Sequence, residues 1–174
     1  MALESGPACG QLRMTFPRVR STVPQSEISR LEAILAAMPP VVAMQVRIVE
    51  ASASRVVLAA PLAANVNDKG CAFGGSMGSL MTLAGWALAW INLAEAGHEP
   101  DLYIASSDVR FLSPVTDELR ATAVFTDAMD WPVTLASLEG GAKPRIQVEA
   151  SIASDHGDSA AAVMRARYVA VGKG

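Results

Sequence analysis

Between Lys69 and Glu95 the chain carries no charged residue, and this run restricts the fold more than any other feature. An apolar stretch of that length either crosses a membrane or is a helix buried on every side. Gly70, Gly74, Gly75, Gly78 and Gly85 interrupt it, with Ser76, Ser79, Thr82 and Asn92 scattered through. The continuous apolar part, Met77 to Ala94, sits at the lower length limit for a span, and no basic cluster flanks it. The buried helix is therefore the favoured reading, running from about Gly75 to Glu95 with Gly97 placed to end it. No membrane partner is expected.

A chain of 174 residues fits one domain. At 51% hydrophobic and 18% charged it is not a disordered chain. Two cysteines, Cys9 and Cys71, are too few for a disulfide-stapled scaffold, and a net charge of -3 gives no electrostatic reason to bind nucleic acid. These features suggest a cytoplasmic protein. With aromatics at only 5%, the core is expected to be built from Ala, Val, Leu and Met. Residues 1–24 hold Arg13, Arg18 and Arg20 among prolines and glycines, without an apolar stretch of export-signal length, and read as an N-terminal extension to a domain at 25–174.

Ser26 is placed to cap a helix in which Ile28, Leu31, Leu35 and Met38 recur at helical spacing until Pro39-Pro40. Period-two alternation through Val42, Met44, Val46 and Ile48 predicts a strand. A turn at residues 51–54 and a second strand through Val56, Leu58, Ala60 and Leu62 complete a hairpin. After the buried helix, strands are expected at Tyr103–Leu112 and Leu119–Thr126. A short helix starts at Asp130-Trp131-Pro132 and stops at Gly140-Gly141. Ile146, Val148, Ala150 and Ile152 alternate with Arg145, Gln147, Glu149 and Ser151. Residues 155–158 form a turn before a last strand, Val163–Val171. The sum is an α+β arrangement, an antiparallel sheet of about six strands wrapping the helix, whose open side and edges favour pairing with a second copy.

Any chemistry is concentrated in Asn65-Val66-Asn67-Asp68-Lys69-Gly70-Cys71-Ala72-Phe73-Gly74-Gly75-Ser76. Glycines running into a helix start let another molecule approach unpaired backbone N–H groups carrying partial positive charge. That suits a carbonyl oxygen gaining negative charge, or an anion. Asn67 and Asp68 are candidates to orient a water and act as base. The competing reading is that Asn, Asp and Gly here only make turns and allow packing. The stretch matches neither a P-loop nor a dinucleotide fingerprint.

Asn67-Asp68-Lys69-Gly70-Cys71-Ala72-Phe73-Gly74-Gly75-Ser76, followed by Leu83-Ala84-Gly85-Trp86, resembles the hotdog-fold thioesterases, in particular the putative thioesterase domain of the YiiD C-terminal type. Residues 107–115, then 119–123, are similar to the strand after the hotdog helix and its hairpin partner; the likeness covers roughly residues 25–172. The resemblance implies a hotdog fold, a homodimer or higher assembly, and hydrolysis of an acyl-CoA or acyl-carrier-protein thioester without a separate cofactor. It also implies acyl-thioester sites between subunits, with Gly74 or Gly75 as the amide donor to the thioester carbonyl. Two positions depart from the wider group: Phe73 stands where a His is common in the motif, and Thr82 where many members carry Asp or Glu. Asp68 and, on the adjacent strand, Asp108 are then the nearest carboxylates. Phe73, Ser76, Ser79, Thr82, Asp108 and Arg110 are the candidate substrate-binding residues. Loss of the His argues against a dehydratase, and both departures favour an alternative in which the protein binds acyl thioesters without turnover.

Cys71 lacks an activating His in the motif, since His98 and His156 lie in apparent turns. For the same reason no metal site is expected. Arg110, Arg145, Arg165 and Arg167 are candidates for coenzyme A phosphates or plain surface charges, and Trp86 and Trp90 for the core.

Overall fold

The structure, a computed structural model, describes residues 19–126, 129–155 and 159–173. In chain order the elements are β1 (Arg20–Ser21), α1 (Gln25–Ala36), α2 (Pro39–Ala43), β2 (Arg47–Ala51), β3 (Arg55–Ala60), α3 (Gly74–Glu95), β4 (Asp101–Phe111), β5 (Leu119–Phe125), α4 (Trp131–Glu139), β6 (Arg145–Ala153) and β7 (Ala160–Val171). A single 3-10 turn occupies Leu62–Ala64. The strands form one sheet in the order β1-β2-β3-β5-β6-β7-β4. Every neighbouring pair is antiparallel except β1 with β2.

The charge-free run is α3, and it packs against β3, β4, β5, β6 and β7. By length and composition it passes as a membrane span, yet 67% of its most apolar window is buried inside the fold. Leu80, Met81, Ala84, Ala87, Leu88, Ala89 and Ile91 are all fully buried, so several faces of the helix are covered. Its C-terminus is closed as the sequence predicts. Gly97 adopts φ +81°, its N–H bonds the Ala94 carbonyl at 2.9 Å, and the His98 N–H bonds the Leu93 carbonyl at 2.9 Å.

Several local expectations are corrected. Ser26 does not cap α1; Pro24 does, its carbonyl accepting from the N–H groups of Glu27 and Ile28. The alternation through Val42 and Met44 is not strand. Pro39 and Pro40 end the first helix but occupy the first turn of α2, where a missing N–H costs nothing. Val42 is consequently exposed, and β2 starts only at Arg47, after Gln45 takes a positive φ of 55°. Leu62 leaves β3 for the 3-10 turn. The strand count is seven because Arg20–Ser21, within the expected extension, pairs with Glu50–Ala51. β5 is not the hairpin partner of β4: β4 lies at the sheet edge beside β7, and β5 lies between β3 and β6. The connection from β4 to β5 instead meets the loop that leads into α3, where the Val115 carbonyl accepts from the Ala72 N–H at 2.8 Å. Cys9, Arg13, Arg18 and His156 lie outside the described residues; of the expected turn only Asp155 is described.

The predicted start of α4 holds, and the structure adds a cap: the Asp130 carboxylate accepts from the Val133 N–H at 3.1 Å. β6 keeps strict alternation, Ile146, Val148, Ala150 and Ile152 being buried. In β7, Tyr168 is fully buried, and its hydroxyl donates to the Thr82 carbonyl at 2.8 Å. A Cβ at Gly85 would lie 2.6 Å from that hydroxyl, so glycine there permits the ring to lock α3 against the sheet. Burial pushes the Tyr168 phenol well above the ordinary tyrosine range, which keeps it a donor.

Tyr168→Phe is expected to cost about 1 kcal/mol and Gly85→Ala about 1–3 kcal/mol. The double variant should cost less than the sum, because losing the hydroxyl opens space for the methyl. Urea denaturation of the three variants measures this, and strict additivity would contradict it. With the folded phenol raised, the stability it supports is present below the unfolded value of about 10 and lost as pH climbs above it.

Candidate active site

The loop ahead of α3 is organised around two asparagines. The Asn67 side-chain oxygen accepts from the N–H groups of Lys69 at 2.8 Å and Cys71 at 3.3 Å. Its amide nitrogen donates to Cys71 Sγ at 3.2 Å and the Ala72 carbonyl at 3.4 Å. Both ends of Asn67 are thus engaged in holding a tight turn, the local role that Asx side chains often play. Asn65 is buried, and its amide nitrogen donates to the carbonyls of Met44 at 2.9 Å and Pro61 at 2.8 Å. The Asn65 backbone carbonyl accepts from the Phe73 N–H at 2.7 Å, which fixes where the chain enters the helix. Sequence reasoning passed over Asn65; an Asn directly after an apolar strand and a Pro-led turn was its only signal.

Phe73 stands at the N-cap of α3 and supplies no capping oxygen. The first intrahelical bond runs from the Met77 N–H to the Phe73 carbonyl at 3.0 Å. The N–H groups of Gly74, Gly75 and Ser76 have no hydrogen-bond partner among the described residues. They carry the positive end of a helix 22 residues long.

These amides head an apolar groove of about 1060 Å³. One wall is the α3 stripe Gly74, Gly75, Gly78, Ser79, Thr82 and Leu83; another is the Ala37–Val41 segment with Met44; the third is Ser107, Val109 and Phe111 on β4. None of these side chains is ionisable. A Cβ at Gly74 would touch the Phe111 ring at 3.6 Å, so that aromatic sits at the mouth beside the amides. The Phe73 ring, itself exposed, lies over Gly75.

Of the predicted site residues, Gly74, Gly75, Ser79 and Thr82 come together in this groove. Ser76 supplies a free N–H without lining the wall. Asp68 stays outside it, 79% exposed and 2.9 Å from the Lys69 ammonium. Asp108 and Arg110 are separated from it entirely. Alternation along β4 turns them to the opposite face of the sheet, into a depression shared with Thr122, Glu149, Ser151 and Arg165. That same alternation, Ser107, Val109 and Phe111 against Asp108 and Arg110, was the signal available for the missed groove residues. Arg165 is committed to Glu149 at 2.7 Å. Cys71 meets the Asn67 amide, while His98 faces Glu139 at 3.3 Å. Among the described residues no group of three or more His, Cys, Asp or Glu could hold a metal ion. The arrangement can therefore bind and polarise a neutral carbonyl.

A capping oxygen at residue 73 would satisfy the free amides. Phe73→Asp is expected to raise stability by about 1 kcal/mol while blocking access of any carbonyl ligand to the helix start. Asn67→Ala should destabilise by about 1–2 kcal/mol through its orphaned loop amides. Asp68→Ala should change stability by less than about 0.5 kcal/mol, as an exposed pair does. Thermal unfolding of the three proteins gives the ranking.

The chain is similar to solved structures over nearly all of its described length. A putative thioesterase from Shewanella oneidensis superposes with a TM-score of 0.75 at 26% identity, covering 85% of this chain and 99% of that one. A protein of unknown function from Chlorobaculum tepidum gives a TM-score of 0.80 at 22% identity, covering 87% and 98%. The PaaI protein from the phenylacetic acid degradation operon of E. coli gives 0.65 at 14% identity, covering 87% and 97%. With its sheet wrapped on one long helix, the architecture is the hotdog fold. The family described as putative thioesterase (yiiD_Cterm) matches residues 28–172, and the chain belongs to it.

Proposed function

We propose that the protein hydrolyses an acyl thioester of coenzyme A or of an acyl carrier protein, in the cytoplasm, with no cofactor besides the substrate. The observation that carries this reading is the set of unpartnered amides at Gly74, Gly75 and Ser76 opening into an uncharged groove. A thioester carbonyl set against them gains stabilisation as its oxygen becomes anionic, and this kind of donor is worth about 10²–10³ in rate. Water adds to the carbonyl carbon while its proton passes to a base. The tetrahedral oxyanion then collapses, expels the thiolate and leaves the carboxylic acid, and the base returns its proton to the sulfur.

Asn67 is occupied within its loop, so the base is assigned to Asp68, whose exposed carboxylate pairs, among the described residues, with Lys69. Among the described residues no ionisable group lines the groove, which supports a site completed by a second copy. β4 supports the same assembly. It is an edge strand of 11 residues with Tyr103, Ile104, Phe111 and Leu112 exposed on or beside it, a surface that favours pairing with another strand.

The absence of an ionisable side chain from the groove also favours a second reading, binding of an acyl thioester without turnover. Release of free thiol from a panel of acyl-CoA esters separates the two. Gly74→Pro is the sharpest variant: Phe73 already holds φ -68° and ψ 127°, the conformation a residue before proline requires, and proline is tolerated in the first helical turn. It deletes one N–H, and kcat/KM is expected to fall about 10²–10³-fold with the fold intact. Unchanged turnover in Gly74→Pro would remove that amide from the mechanism. Asp68→Ala should abolish turnover while acyl-CoA still protects the protein from heat. Ile104→Lys should produce an inactive monomer in sedimentation; an active monomer would refute the shared site.

A further inference from the structure

We infer that Gly78 sets the length of acyl chain the groove accepts, and that the preferred substrate carries a straight chain of about eight to ten carbons, the length of an extended chain along two to three helical turns. The inference rests on the thioester reading above and names the substrate class for that same site.

Gly78 lies one turn beyond the free amides, on the groove wall. A Cβ built there meets nothing within 4 Å, whereas one at Gly85 would strike the Tyr168 hydroxyl and one at Gly75 the Phe73 ring. No positive φ requires glycine at 78 either. Glycine inside a helix is destabilising by roughly 0.5–1 kcal/mol relative to Ala, and here neither packing nor backbone conformation accounts for it. What the missing side chain leaves is open space in the groove.

The length follows from two walls, each taken from the rise of its element. From Gly74 to Leu83 the helix advances about 13 Å at 1.5 Å per residue. From Phe111 to Ser107 the strand covers about 13 Å at 3.3 Å per residue. One turn past Thr82 the passage between helix and strand is bridged: the Trp86 indole N–H donates to the Leu102 carbonyl on β4 at 3.2 Å, and the ring stacks on Trp90 at 6.2 Å. An extended chain advances about 1.2 Å per bond, so roughly ten bonds span the lining from Gly74 to Leu83, which ends one turn short of that bridge. Met38, Val41, Met44, Leu83 and Val109 supply an apolar lining, and the unbranched methionines can settle around a flexible chain.

The test is a profile of kcat/KM over straight-chain acyl-CoA esters from two to sixteen carbons, for wild type, Gly78→Ala and Gly78→Leu. In wild type the value is expected to rise about fourfold per methylene and to stop rising near eight to ten carbons. Gly78→Leu should shift the ratio of decanoyl to acetyl turnover at least tenfold towards acetyl, with Gly78→Ala between and no loss of thermal stability in either. Chain-length-dependent thermal protection by the same esters is the second readout. Protection that peaks near ten carbons and shortens in Gly78→Leu, without turnover, would uphold the groove assignment and overturn the hydrolase reading. Turnover with parallel length profiles in wild type and Gly78→Leu would uphold the hydrolase and overturn this inference. A wild-type profile that climbs through sixteen carbons would overturn it as well.

Discussion

A helix without charge for more than five turns has most of its surface to bury, and the rest of the molecule follows from covering α3. Five strands contribute to that cover, and the residues that meet the helix from the sheet are largely alanine, valine and isoleucine. Small side chains on α3 itself, Ala84, Ala87 and Ala89, bring the helix close to the strands. The Tyr168 hydroxyl then fixes the helix through the Thr82 carbonyl, using the space at Gly85. With α3 held in this way, the position of its first turn is set jointly by the core and by the loop bond from the Phe73 N–H to the Asn65 carbonyl.

The head of that helix departs from how the same chain treats α4. There an aspartate at the N-cap accepts from the first turn. At α3 a phenylalanine occupies the equivalent place, and three amides are left without partners among the described residues. Leaving out a cap of this kind costs about 1 kcal/mol. Local rules are most often broken where a site has to remain open to a ligand. The loop preceding the helix is not loose in compensation: Asn65, Asn67 and the Val115 carbonyl hold it at several points. Rigid support and an unsatisfied donor set side by side are what polarisation of an incoming carbonyl requires.

Much of this was legible in the sequence, for identifiable reasons. The charge-free run, Gly97 behind it, the helix start at Asp130 and the alternation of β6 are local signals that tertiary contacts did not override. Val42 and Met44 misled because a period of two over a few residues cannot be told from one helical turn, and two prolines were read as a stop when they were also a start. Adjacency in sequence points β4 to β5, whereas the long β7 pairs with β4 along the sheet edge and leaves β5 between β3 and β6. Asp108 and Arg110 attracted attention as charged residues near the motif, although their register sends them through the sheet to its other face. The groove as a unit is not legible in the sequence: it is assembled from the segment after α1, from α2 and from α3 and β4, which only the tertiary fold brings together.

We propose that the amides at the head of α3 receive the thioester carbonyl, and a crystal structure with a ketone analogue of decanoyl-CoA, in which a methylene replaces the thioester sulfur, tests this. The ketone oxygen is expected within about 2.7–3.1 Å of the Gly74, Gly75 or Ser76 nitrogen, with the alkyl chain lying along Gly78 and Thr82. A ketone held elsewhere, for instance on the outer face of the sheet near Asp108 and Arg110, with those amides facing water, would contradict it.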